Sequence, residues 1–223
     1  MATQKTAPKT AKPRRSKDEV KHEAILKAAT RLFLKNGYTN TSMDAIADAA
    51  RVTKQTVYSH YKNKDALFTH MVAVLCEKHT PSVALRESPG HSIESQLYEI
   101  GSAFINMLTS YEGLSVTRLV IAEVQQHPEL AKRFYEGGTQ RMIAMFSQFL
   151  TRQNNNGILS IPDTTSAASY FFAMLKGRYH LRMLLAIKPI PSVKEKEAHV
   201  HETVKVFMKI YGGPAPLHTH SVT

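Results

Sequence analysis

Residues 53–64 read TKQTVYSHYKNK and contain three lysines, two tyrosines and a single aliphatic side chain, Val57. Such a segment can bury one narrow face and must offer its hydroxyls, amide, rings and ammonium groups outward. That division suits a helix lying in the major groove of DNA, where one side rests on a neighbouring helix and the other meets base edges and phosphates. A polar surface helix has the same composition, so the surrounding sequence has to decide.

Upstream, Ser16 and Glu19 stand in capping-box spacing before a helix running to about residue 35, with Ile25, Ala28, Ala29, Leu32 and Phe33 as its apolar stripe and Gly37 as its stop. A short helix then begins at the Thr41-Ser42 cap, with Asp44 in its first turn, and carries Ile46, Ala47 and Ala50 inward. Arg51-Val52 makes the turn and Thr53 caps the quoted helix. Asn63 caps a fourth, whose stripe is Leu67, Phe68, Met71, Val72 and Leu75. Four helices in so few residues, two of them very short, predict a helix-turn-helix unit.

Charge points the same way. The net charge is +11, and +8 of it falls in the first 80 residues, where 15 basic residues face 7 acidic ones. A polyanionic partner follows. Residues 1–17 hold six cations, two prolines and no acid, the composition of a disordered arm. It serves either as a solubilising tail or as an arm touching DNA. One cysteine, Cys76, excludes an internal disulfide and fits a reducing compartment; as a neighbour of Val72 on one helix face it reads as a packed thiol. No apolar run approaches a membrane span and residues 1–17 lack a signal-peptide core, so a cytoplasmic protein is expected.

Within the quoted helix, Gln55 can bind adenine with two hydrogen bonds and Thr56 can meet a thymine, while Lys54, Tyr58 and His60 suit bases or phosphates. These residues also carry a resemblance. ILKAATRLFLKNGYTNTSMDAIADAARVTKQTVYSHYKNKDALF, residues 25–68, is similar almost position by position to the DNA-binding domain of the TetR family of bacterial transcriptional repressors.

The resemblance implies an all-α protein: an N-terminal three-helix helix-turn-helix domain, a larger C-terminal domain for ligand binding and dimerisation, and release from DNA when a small molecule binds. It places Thr41 and Ser42 at phosphate, Lys54, Gln55 and Thr56 at bases, and Tyr58, His60 and Lys64 at the backbone. Where the family usually has Gly, this chain has Arg51. A non-glycine residue there costs roughly 1 kcal/mol if the turn is left-handed, and Arg51 can add a phosphate contact. RLVIAEVQQHPELAKRFYEGG, NNNGILSIPD and FFAMLKGRYHLRMLLA further resemble the AefR-like branch.

The expected organisation is a basic arm over residues 1–17, a DNA-binding domain over 18–64, a connecting helix over 65–79, a ligand-binding and dimerisation domain over 80–212 and a tail over 213–223. Past a polar link at residues 80–90, helices are expected over about 92–110, 114–126, 128–154, 163–187 and 193–211. No strand-like alternation occurs.

Met107, Met142, Met145 and Met174, with Phe104, Phe149 and Tyr170, form either an ordinary core or an adaptable pocket for an apolar or aromatic effector. Arg118 and Glu123 interrupt an apolar helix as buried polar anchors or as solvated residues, with Arg118 a candidate for the pocket. Pairing by two-fold symmetry doubles the operator read, so a homodimer on double-stranded DNA is expected, with Leu175, Met183, Val204, Phe207 and Met208 at the interface.

The His199-x-His201 and His218-x-His220 pairs lack a shared helical face, so no metal and no cofactor are expected. Phosphate loops, nucleophile elbows and H-E-x-x-H pairs are absent from the sequence. The alternative is a helical small-molecule-binding protein or enzyme whose basic N-terminus meets an acidic partner other than an operator.

Overall fold

The computed structural model describes residues 16–79 and 90–213. The arm over residues 1–15, the link over 80–89, the thiol of Cys76 and the tail with His218 and His220 lie outside the described residues. Helix α1 (Lys17–Asn36) opens on a complete capping box, Glu19 N donating to Ser16 Oγ and Ser16 N to the Glu19 carboxylate. It ends at Gly37, whose φ of 83° a side chain would strain.

Ser42 caps α2 (Met43–Ala50), Thr53 caps α3 (Lys54–His60), and Asn63 Oδ1 accepts from Ala66 N at the start of α4 (Lys64–His79). Each cap satisfies an amide that a short helix leaves unpaired. Arg51 occupies the α2–α3 turn at φ 56°, ψ 43°. The chain therefore keeps the left-handed turn and accepts the strain, because Arg51 N still closes α2 on Ala47 and Asp48.

The larger part comprises α5 (Ile93–Thr109), α6 (Tyr111–Glu123), α7 (Pro128–Phe134), a π-helical segment (Tyr135–Gln140), α8 (Arg141–Asn155), α9 (Thr164–Gly177), α10 (His180–Leu184) and α11 (Val193–Tyr211). Two expectations need adjusting. The long helix over 128–154 contains a π-helical turn at its two glycines, Gly137 and Gly138, where the regular ladder yields. The helix over 163–187 is split between Gly177 and His180, so that α10 folds back toward α6.

Two apolar clusters hold the fold. In the smaller, Val57 of α3 is fully buried with Ile25, Phe33, Ile46, Leu67 and Phe68. A fully buried aliphatic or aromatic side chain contributes about 1.5–3 kcal/mol, so one valine suffices to seat a seven-residue helix. Val116 and Val120 of α6 and Leu130 of α7 join the same cluster, which means that the head packs directly on the body. The larger cluster centres on Phe146, Phe149, Phe171, Phe172 and Phe207. Gly101 of α5 admits α11 so closely that an added Cβ would sit 2.9 Å from Val200 Cγ1.

The expected dimer residues are corrected here. Leu175, Met183, Val204 and Phe207 are buried within their own chain, and Met208 packs partly against the same core. The apolar stripes legible in α9 and α11 are spent on the protein's own interior. No helix among the described residues is long and apolar enough to cross a membrane.

Candidate nucleic-acid interface and effector cavity

Helix α3 exposes Lys54, Gln55, Tyr58 and Ser59, with Tyr58 46% accessible. Thr56 is half-buried and shares a 2.8 Å hydrogen bond with the Thr53 hydroxyl. Lys54 Nζ lies 2.8 Å from the Asp44 carboxylate, and both groups are well exposed. Surface pairs of this kind hold by about 1 kcal/mol or less, so Lys54 can be transferred to a phosphate at small cost. Ser42 stays exposed while its Oγ accepts from Ala45 N. Arg51 is exposed in the α2–α3 turn, at the opposite end of α2 from Ser42.

One expected contact is narrowed and one is corrected. Thr41 is 2% exposed and its hydroxyl is committed to Gly37 O at 2.8 Å, yet the residue still lines the surface hollow described below. His60 packs against α1, 3.4 Å from Asp18, with only 13% of its side chain exposed and with His22 and Tyr61 around it.

Lys64 divides its duties. Its Nζ donates to Tyr38 O at 2.8 Å and sits 4.3 Å over the Tyr38 ring, and burial lowers its pKa. It nevertheless lines a surface hollow of about 410 Å³ with Thr39, Asn40, Ser42, Tyr58 and Asn63. The amino end of α2, two asparagines, a phenol and an ammonium there make a donor-rich recess of the kind that takes a phosphate. Sequence reading missed Thr39, Asn40 and Asn63, although their place flanking two helix caps was a usable signal.

The turn at Tyr38 and Thr39 is gripped from both sides. From α6, the Glu123 carboxylate accepts from Tyr38 N at 3.0 Å, Thr39 N at 3.2 Å and Thr39 Oγ1 at 2.7 Å. From α4, Lys64 holds the Tyr38 carbonyl and Asp65 accepts the Tyr38 hydroxyl. Burial pushes the Glu123 pKa up, but the Thr39 and Tyr38 hydrogen bonds outweigh it and hold the group below its ordinary range. Its stabilisation is therefore complete above the usual glutamate pKa of about 4.3 and is lost as pH falls through the lowered folded value. Glu123 is thus a partly buried polar anchor. Arg118, expected in the pocket, instead donates to Met183 O at 2.6 Å and Leu184 O at 2.9 Å, tying α6 to α10.

Above this junction lies a cavity of about 210 Å³. Val72 and Leu75 come from α4, Phe104, Met107 and Leu108 from α5, Gly113 and Thr117 from α6, Phe134 from α7, Gly138 and Thr139 from the π-helical segment, Met142 from α8, Lys176 from α9 and His180 from α10. Of the expected pocket residues, Phe104, Met107 and Met142 meet here.

Phe149 does not, because it is fully buried in the aromatic core beside Phe146, with Arg152 over its ring. Met145 and Met174 pack on that core outside the lining, and Tyr170 is 59% exposed on the outer face of α9. Lys176 and His180 escaped notice, though two ionisable residues four apart at the end of an apolar helix were there to be read. The His199 and His201 rings go to separate partners, the Leu175 carbonyl and the Tyr98 ring.

A helix-turn-helix head packed on a helical body with an internal apolar cavity defines a ligand-responsive DNA-binding regulator. The family follows from comparison. Residues 25–71 match the N-terminal domain of bacterial regulatory proteins of the TetR family, and residues 95–213 match the C-terminal domain of AefR-like transcriptional repressors. The chain belongs to the TetR family of transcriptional regulators, in its AefR-like branch.

The HTH-type transcriptional regulator YhgD of Bacillus subtilis (strain 168) is 26% identical over 136 residues, covering 61% of this chain and 68% of that protein. A TetR-family regulator from Mesorhizobium loti MAFF303099 superposes with a TM-score of 0.74 at 30% identity, over 89% of this chain and 100% of the other. The flavonoid-responsive regulator FrrA gives a TM-score of 0.70 at 27% identity, over 86% and 97% of the two chains.

Proposed function

We propose that the protein is a cytoplasmic homodimeric repressor that holds a palindromic operator and leaves it when a small apolar or aromatic effector enters the cavity. Residues 18–64 act as the reading head, 65–79 as the connecting helix and 80–212 as the effector-binding, dimerising body. The observation that carries this reading is the shared framework. Helix α4 lines the cavity with Val72 and Leu75 and supplies Lys64 to the donor-rich hollow, while α6 lines the cavity with Thr117 and grips the Tyr38–Thr39 turn through Glu123. A ligand that shifts either helix displaces the start of α2. The flavonoid response of FrrA supports an aromatic occupant.

For pairing, the faces of α9 and α11 left open carry Tyr170, Ala173 and Gly177 on one helix and Glu202, Val206 and Ile210 on the other. Small residues between larger apolar ones let two copies approach closely, and four helices related by a two-fold axis make a bundle. Two heads on one body then read two half-sites. Selection of bound duplexes from a random pool tests the proposal: an inverted repeat is expected, with one dimer per duplex by sedimentation. Recovery of no preferred sequence, or a monomer that binds with full affinity, contradicts it.

Within the head, Gln55→Ala should change the ranking of duplexes by about 1–3 kcal/mol at the base it reads. Tyr58→Phe and Lys64→Ala should weaken all duplexes alike, and Lys64→Ala should also lower the salt slope by about one. Fluorescence anisotropy across salt concentrations separates the two behaviours. Unchanged affinity and slope in Lys64→Ala would remove that residue from the interface.

A further inference from the structure

The cavity holds two ionisable side chains to which the described residues give no counter-charge. Lys176, near the end of α9, and His180, at the start of α10, are the ionisable residues of its lining, and no carboxylate lines it among the described residues. His180 Nε2 is fully shielded from solvent and has no hydrogen-bond partner among the described residues. Burial lowers the Lys176 pKa, and burial together with the Lys176 charge lowers that of His180. An ammonium and an unpaired ring nitrogen held against an apolar wall are costly unless something else completes them.

Most of the remaining wall is hydrocarbon and aromatic ring, apart from Thr117 and Thr139. The Thr117 hydroxyl is already committed to Gly113 O at 2.8 Å. The volume, about 210 Å³, falls below the ~300–1,000 Å³ usual for drug-sized ligands. The occupant is therefore small.

We infer that the effector is a small carboxylic acid with a one- or two-ring apolar body, its carboxylate held by Lys176 Nζ beside the His180 ring and its body set among Phe104, Met107, Phe134 and Met142. This assignment rests on the cavity being the effector site. Charge-assisted hydrogen bonds in an enclosed apolar site favour the acid over a neutral counterpart of the same shape. The carboxylate also stabilises the protonated forms of both groups, so binding takes up protons at any pH where either group is neutral in the free protein. As pH rises through the lowered Lys176 value, the preference for the acid disappears while binding of the neutral counterpart stays level.

Calorimetry on the full chain with benzoate, 2-naphthoate and the neutral 2-naphthylmethanol tests this, using the wild type, Lys176→Met and His180→Phe. The wild type should prefer 2-naphthoate to the alcohol by about tenfold or more. Lys176→Met should abolish the preference and keep the alcohol, and His180→Phe should reduce it. The wild type alone gives a second readout that needs no variant, the loss of preference as pH is raised through the lowered Lys176 value. Equal binding of acid and alcohol, or a preference that survives Lys176→Met and the pH change, overturns the assignment and leaves the cavity as an effector site. Failure of all three probes to bind the wild type overturns both. An acid preference lost in Lys176→Met, with no release of operator, upholds the carboxylate site in the cavity and overturns its role as the effector site.

Discussion

Glu123→Ala is expected to lower operator affinity about tenfold or more and to flatten the response to effector, while leaving effector binding to the free protein unchanged. The carboxylate receives two backbone amides and one hydroxyl from the Tyr38–Thr39 turn, which precedes the Ser42 cap of α2. Hydrogen bonds to a charged acceptor contribute about 1.5–3 kcal/mol each where they are shielded. Thr39 is exposed and water can replace part of the loss, so the net cost should be about 2 kcal/mol in folding stability.

With the turn released, the head keeps its own core but loses its fixed angle to the body, and two heads on one operator need that angle. Glu123→Gln keeps an acceptor oxygen for the two amides and should fall between wild type and alanine. Thermal melts, operator anisotropy and effector calorimetry on the three proteins check the ordering. Unaltered operator affinity and unaltered coupling in Glu123→Ala would show that α6 does not transmit.

Met107→Trp should do the opposite, abolishing induction while sparing DNA binding. Met107 is half-buried, packs on the larger core and lines the cavity. A tryptophan there takes the ligand's volume without entering the close-packed part of the core, where extra volume costs about 1–3 kcal/mol. Effector affinity should drop about a hundredfold, equivalent to ~2.7 kcal/mol, with the operator held as tightly as before. Tyr170→Ala, on the outer face of α9 proposed for pairing, serves as the control once sedimentation shows its assembly unchanged, and should leave effector affinity as it was. Loss of effector binding in the control would return Tyr170 to the pocket and displace the cavity as the site.

The head was legible because its determinants are local. Ser16 with Glu19, Ser42, Thr53 and Asn63 each satisfy amides within three residues, so cap chemistry shows in the sequence at short range. The single buried Val57 could be read for the same reason. The burial of His60 could not, since its partner Asp18 depends on how α1 lies across it.

Helix faces failed in a regular way. Periodicity finds the apolar stripe of α9 and α11, but a stripe fills the chain's own interior before it is offered to a second copy. The faces of α9 and α11 left open mix two small residues, Ala173 and Gly177, with Tyr170, Val206 and Ile210, a pattern that composition does not advertise. Glu123 announced itself as a charge in an apolar run, yet its partner lies 85 residues away. A cavity is a place where side chains stop, and no residue type encodes it; Lys176 and His180 were the nearest thing to a trace.

The coupling between the two sites can be measured directly. Titration of the acid probe that binds most tightly into the free protein, and into the protein bound to its selected operator, gives two affinities whose ratio is the coupling itself. Because linkage is reciprocal, an effector that weakens the operator must be weakened by it to the same degree, and a ligand with equal affinity for both states shifts nothing. Repression released through α4 and α6 requires the operator complex to bind the probe about 5- to 150-fold more weakly. Equal affinities in the two titrations would contradict it.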